Sequence, residues 1–399
     1  MLNSKSKFIE IIVFITSLAI IANYLSLFFI FNEYLIKFYL AIFLLTIIFF
    51  IFYTKFDYLY LKIVFFALII ISLGDATEDW DAWAVWLFKA KRIFIDQSIL
   101  GVLDGYASFQ LNEQPQLASS FATAVGVSWG SWNEIFPKVG ILFITFPPLI
   151  LSLNIFNKTL NFIFICLTLY IINTFFINGF LDGLVAIYFV FSAYLIFNIF
   201  IENKFNYFKF LNLFNFLVIL SLLKNEGLVI ILILFFHVLI FDLYNKKNLS
   251  KIKLKIITFI SLGPIFYWKY LVFVSEIENY HLSGSILANL ISRIKDFSTY
   301  QIVFQYLFGS YNLLFSIFLL STSYFLIKNK FLTVYAFSIG FIYMFSVLLV
   351  NLISKMDFVW GITASLTRVI SMPIAYLFIF FALYQYQLYE NKKNYLQFY

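Results

Sequence analysis

Four carboxylates, Asp75, Glu78, Asp79 and Asp81, arrive within seven residues at the head of the stretch GDATEDWDAWAVWLFKAKRI (74–93). They follow directly on an apolar run long enough to cross a bilayer. A partly desolvated carboxylate is a better base than one in bulk water, so such a group can take the proton of a hydroxyl as that oxygen attacks. The residues behind the acids are amphipathic. Trp83, Trp86, Leu87, Ala90 and Phe94 recur at helical spacing, while Lys89 and Arg92 share another face. A helix of this kind is expected to lie flat in the headgroup region, aromatics in the interface and cations near lipid phosphates. The plain alternative is that Asp79 or Asp81 only caps the helix and that Lys89 and Arg92 only anchor it.

Other polar residues stand at the ends of apolar runs. Asp182 precedes one, Lys224-Asn225-Glu226-Gly227 separates two, Arg368 opens the last, and His281 sits in a short polar segment. Structural duties compete here as well: an N-cap for Asp182, a snorkelling pair for Lys224 and Glu226, an interfacial anchor for Arg368. His237, inside an apolar run, reads as an interhelical hydrogen-bond partner.

The elements that must position these groups are membrane helices. With 63% hydrophobic and 12% charged residues and a mean hydropathy of +0.94, the 399-residue chain is expected to be an all-α polytopic membrane protein. Apolar runs place about twelve spans, near 8–31, 36–53, 57–74, 139–156, 159–177, 180–200, 208–223, 227–244, 256–274, 300–327, 331–351 and 366–387. Lys5 and Lys7 before the first run mimic a signal peptide, but the run is long and more follow, so it reads as an uncleaved anchor. Lysines cluster on alternate loops, most densely at Lys246, Lys247, Lys251, Lys253 and Lys255, which assigns both termini to the cytoplasm. The acids of 75–81, Asp182, the 224–227 turn and Arg368 then share the opposite, outer face. A charge at the bilayer centre costs roughly 2.5–3.5 kcal/mol on insertion scales, and groups at span ends escape most of it. The organisation expected is two N-terminal spans (1–56), a core over 57–270 with an outer loop at 75–138, and C-terminal spans over 271–399 with an outer loop at 275–299 holding a short amphipathic helix. The abundance of Phe, Ile, Lys and Asn suits an AT-rich bacterial genome and hence a bacterial inner membrane. The net charge of +7 comes from lysines scattered in short loops, so no nucleic-acid partner is expected. One cysteine and two histidines leave no disulfide and no dedicated zinc site in view.

The acidic cluster leading into WDAWAVWLFKAKRIF resembles the first outer loop of C-type (GT-C) membrane glycosyltransferases, which use polyprenyl-phosphate sugars. These include protein O-mannosyltransferases and the aminoarabinose transferases of lipid A. GFLDGLVAIYF (179–189) is similar to a Gly-to-Asp segment that opens a span in that family. LLKNEGLVIIL (222–232) is similar to its Lys-Asn-Glu-Gly turn, and LTRVISMPIAYLFIF (366–380) to its late Arg-to-Pro span. NEQPQ (112–116) resembles the polar, proline-bearing stretch of the same first loop, where it would shape the acceptor pocket. The first two spans precede the family's usual first span, a departure from the simplest pattern.

What the resemblance implies is transfer of a sugar from a polyprenyl-phosphate donor to a glycan, lipid or protein hydroxyl on the periplasmic face, with inversion. Asp81 aligns best with the family's catalytic acid, with Glu78 and Asp79 in reserve. Lys224, Arg368, Lys89 and Arg92 would hold the donor phosphate, and Asp182, Asn225, Glu226 and His281 would complete the site. A phosphate leaves as a stable anion, so cations rather than a second, protonated carboxyl group are what the reaction needs. No cofactor is expected; a divalent cation such as Mg or Mn, on Asp75, Asp79 and Asp182, is the alternative. Two other classes compete. A transporter or lipid-linked oligosaccharide flippase should carry ionisable groups at mid-span and repeated halves, whereas the spans read as nearly free of charge apart from His237. An oligosaccharide polymerase or ligase should carry working Arg and His residues in a large late loop, where 275–299 offers His281 and Arg293.

Overall fold

The structure, a computed structural model, describes residues 2–54, 57–77, 80–107, 110–172, 177–202, 206–244, 249–279, 285–309 and 330–396. The described residues are helical, and no strand occurs among them. Among the described residues, seven helices are long and apolar enough to cross a membrane: Lys5–Phe29, Glu33–Tyr53, Phe136–Asn154, Asp182–Ile201, Ile252–Val274, Val334–Ile353 and Phe358–Asn391. They coincide with expected spans. Those expected at 57–74, 159–177, 208–223 and 227–244 correspond to the shorter apolar helices Leu59–Gly74, Lys158–Ile171, Tyr207–Leu223 and Asn225–Ile240. The one expected at 300–327 falls largely outside the described residues.

The chain divides into two compact units, Met1–Ile277 and Glu278–Tyr399. In the first unit, α1 (Leu2–Phe29) packs against α2 (Glu33–Tyr53) and α10 (Tyr207–Leu223). Between apolar helices in lipid the hydrophobic effect gives no preference, so packing and interhelical hydrogen bonds decide. The α1–α10 seam shows both. Asn212 and Asn215 of α10 donate their side-chain amides to the Glu10 and Phe14 carbonyls of α1, at 3.1 and 3.3 Å. Next to it, α9 (Asp182–Glu202) is buried on nearly every side and packs on α10.

The feature not anticipated lies inside the long loop 75–138. After α3 (Leu59–Gly74), α4 (Phe88–Asp96) leads to α5 (Leu117–Trp129), a helix of mostly small and apolar residues that is buried among α1, α2, α4, α6 (Phe136–Phe143) and α10. Thirteen residues are too few to span a bilayer, so a search for spans passes over it. Small residues let it come close to its neighbours: a Cβ at Gly140 of α6 would stand 2.7 Å from the Phe121 carbonyl oxygen and 2.8 Å from Ala122 Cα. Asn23 of α1 donates to the Ser120 carbonyl at 3.1 Å, and Phe43 of α2 meets Phe121 edge-on at 5.4 Å. The loop is therefore part of the bundle's core.

In the second unit, α14 (Ile286–Lys295) and α15 (Phe297–Gly309) accompany the helix Lys330–Ile353 and a final rod from Phe358 to Leu396. That rod contains a π-helical stretch, Ser365–Ile370. Tyr343 donates its hydroxyl to the Val369 carbonyl there at 2.8 Å.

Candidate functional site

The first part of the site is the helical rod that carries Asp81. Residues Asp81–Leu87 form a π-helix, a rare geometry that often marks functional positions, and α4 continues it. Asp81 is half-buried, and Trp80 and Trp83 beside it are exposed. The rest of the rod is docked in protein rather than laid in lipid. Trp86, Leu87 and Ala90 are buried because α5 takes that face: Ser119 and Thr123 donate to the Trp86 and Ala90 carbonyls, each at 2.9 Å. Lys89, eight residues beyond Asp81, is fully buried, donates to the Leu111 carbonyl at 2.6 Å and lies 5.1 Å over the Trp86 ring. Arg92 is engaged within the loop. Its guanidinium meets Asp104 at 2.8 Å, Asp96 at 3.3 Å and the Gly101 carbonyl at 2.6 Å, and covers Tyr106.

The centre of the site is Glu113. Its carbonyl accepts from Trp268 Nε1 and Lys269 Nζ of α13 (Gly263–Val274), each at 3.1 Å. Lys269 also donates to the Asn225 side-chain oxygen, and the Asn225 backbone N–H donates to Gln114 Oε1 at 2.8 Å. Leu111, with φ of 56°, holds a left-handed conformation that costs a branched residue energy, as strained loops at functional sites do. All this fixes the Glu113 backbone, while its carboxylate, 1% exposed, has no hydrogen-bond partner on either oxygen among the described residues. A buried acid with both acceptors open costs free energy unless something fills them. Burial pushes its pKa up, against the pull of Lys89 and Lys269 and with a push from Glu226. Burial likewise lowers Lys89 to about 7, against the pull of Glu113.

Alongside lies an ion-paired turn. Lys224, extended between α10 and α11 (Asn225–Tyr244), contacts Asp182 at 2.9 Å and Glu226 at 3.4 Å. Only glycine fits at 227, where a Cβ would collide with the Leu220 carbonyl. Asp182 in turn follows the Gly179 turn (φ of 84°), against which Ala82 of the Asp81 rod packs. One end of the first unit thus gathers Lys89, Glu113, Asp182, Lys224, Asn225, Glu226 and Lys269, and Ala82, next to Asp81, packs at its margin. Comparison with protein-family models, curated proteins and solved structures finds no match for this chain. Its chemistry has to be read from these residues alone.

The remaining expected site residues fall elsewhere. Glu78, Asp79 and His281 lie outside the described residues. Asp75 is exposed, its carbonyl accepting from Lys138 Nζ at 2.6 Å. Arg368 belongs to the second unit, in its π-helical stretch. Among the described residues no three His, Cys, Asp or Glu side chains gather as metal ligands would. The reading of the spans as nearly charge-free needs correcting: α1 carries Glu10, α3 carries Lys62 and α13 carries Lys269. A lysine inside an apolar span is itself a signal of function, and that signal points to Lys269.

The two buried titrating groups give opposite pH trends. Lys89 is depressed relative to an unfolded lysine near 10.4, so the folded state binds fewer protons from about 7 upward. Stability from this group is complete above the unfolded value and lost as pH falls through about 7. Glu113 is raised, so its contribution is complete below the unfolded value and lost as pH rises through the folded one. Between about pH 7 and pH 9 the Lys89 contribution rises with pH, so the melting temperature of the solubilised Lys89→Met variant should climb less, or fall more, over that range than that of wild type. An unchanged slope in the variant would remove Lys89 as a contributor.

Proposed function

We propose that the chain is an integral membrane glycosyltransferase of GT-C architecture with about twelve spans, taking a sugar from a polyprenyl phosphate at the outer face of a bacterial inner membrane. The acceptor is a glycan, lipid or protein hydroxyl. Asp81 takes the hydroxyl proton as the acceptor oxygen bonds to the anomeric carbon. The bond from that carbon to the phosphate oxygen breaks, and polyprenyl phosphate leaves as an anion, with inversion. Lys269 and Lys224, joined by Lys89 in its protonated form, supply the positive field that favours the departing phosphate. The open carboxylate of Glu113 accepts hydroxyl hydrogen bonds from the bound sugar.

The observation that carries this reading is the orphaned Glu113 carboxylate held among lysines at the end of the bundle that also bears Asp81. A membrane transporter or flippase fits less well. In the first unit Glu10, Lys62 and Lys269 each lie within six residues of a helix end, and in the second Arg368 alone of the named charges sits deeper, ten residues into Phe358–Asn391.

Glu113→Gln tests the assignment. Glutamine copies the shape of the protonated acid, so thermal stability should hold, while transfer should fall roughly 10–100-fold, the worth of a hydrogen bond to a charged group. Loss of folding together with activity would reduce Glu113 to a structural part.

A further inference from the structure

The second unit holds an amphipathic element that the catalytic reading leaves without a role. In α14 (Ile286–Lys295), Asn289 and Arg293 stand one turn apart on one face. Both are spent on the open carbonyls at the end of the 330–353 helix. Arg293 donates to the carbonyls of Asn351 at 2.6 Å, Ser354 at 2.8 Å and Met356 at 2.6 Å, and Asn289 to that of Ser354 at 3.2 Å. The last carbonyls of a helix have no partner within it, so this is a side-chain cap supplied from another helix.

More than a third of a turn away, Leu287, Leu290, Ile291 and Ile294 form an apolar sector. No residue of α14 is buried, and Leu287, Ile291 and Ile294 are 72%, 52% and 48% exposed. The level at which this sector sits is fixed by its tether. Val334–Ile353 is of membrane-crossing length, so its carbonyl end stands at a bilayer boundary. Phe341, Phe345, Leu349 and Val350 of that helix are exposed too, and Phe297 and Phe304 follow on α15. Exposed apolar side chains thus lie on a membrane-crossing helix and on the helix tethered to its end. Lys295, at the edge of the sector, is placed for its amine to reach back to phosphates.

We propose that α14 is an interfacial lipid-binding helix: Asn289 and Arg293 lash its polar face to a span's carbonyl end, and Leu287, Leu290, Ile291 and Ile294 sink into the headgroup–acyl boundary of the bilayer. Its axis lies along the membrane plane, with the apolar side chains about 5–10 Å below the headgroup level. The protein thus grips lipid through a device independent of the site in the first unit.

Nitroxide labels test this in the full chain reconstituted in nanodiscs containing phosphatidylglycerol. Cys166 is first replaced (Cys166→Ala), because it is an exposed free thiol. Labels then go on Leu287→Cys, on Ile294→Cys and, as the polar-face control, on Ser292→Cys. The expected result is strong relaxation of the 287 and 294 labels by oxygen, which partitions into lipid, and of the 292 label by water-soluble nickel chelate. Two results would overturn the proposal. Nickel access at 287 and 294 equal to that at 292 would put the sector in water. Exclusion of both relaxers would mean that protein covers it, whether a second copy or another partner.

Discussion

Replacing Asp81 with asparagine should lower sugar transfer about 10²–10⁴-fold, the usual contribution of a positioned general base. The substitution keeps the size of the side chain and its place at the start of the π-helical turn, so folding should be untouched. Asparagine can still accept a hydrogen bond from the acceptor hydroxyl but cannot take its proton. Turnover should therefore fall far more than acceptor binding weakens, and the KM for acceptor should stay near its wild-type value. Measured turnover within about threefold of wild type would take the base role away from Asp81 and return it to Glu78 or Asp79.

The second large effect is on stability. The Lys224–Asp182 pair at 2.9 Å is buried, with side chains 9% and 4% exposed. Lys224→Met removes one partner and strands a charge in a dry site, which typically costs about 3–5 kcal/mol. The single variant should unfold at much lower temperature or fail to accumulate in the membrane. Adding Asp182→Asn removes the stranded charge, and because uncharged replacements of a buried pair are often neutral, most of the stability should return. If the proposed activity is right, transfer should not return with it, since the donor phosphate would have lost one of its proposed cations. Restored activity in the double variant would leave the pair a purely structural role. A single variant as stable as wild type would show that Asp182 finds its counter-charge elsewhere.

The legible part of this protein was the part written in long patterns. Apolar runs announced the seven membrane-length helices, and the dense acids ahead of Asp81 announced the rod that bears it. Asp182 and the 224–227 turn were visible as polar interruptions between apolar runs, and the structure joins them through one ion pair. What stayed hidden was short or isolated. The thirteen residues of α5 carry a pattern that fits a buried helix and a loop equally well, and only their fit against α4 and α6 decides. That fit in turn buries Trp86 and Lys89, which the amphipathic spacing had assigned to the interface. Lys269 is one cation in the aromatic run FYWKYL, where average hydropathy conceals it. Glu113 was visible only as one residue of a polar stretch. Its importance comes from a carboxylate without a hydrogen-bond partner among the described residues, and no sequence pattern records that.

The most direct test of the proposed activity is consumption of donor by the purified, reconstituted protein, followed with a panel of radiolabelled polyprenyl-phosphate sugars and a mixed hydroxyl acceptor. The expected result is that one donor is used, that free polyprenyl phosphate appears in equal amount, and that Asp81→Asn and Glu113→Gln each suppress the release. Wild-type protein that consumes no donor in the panel, or release that persists undiminished in both variants, would contradict it.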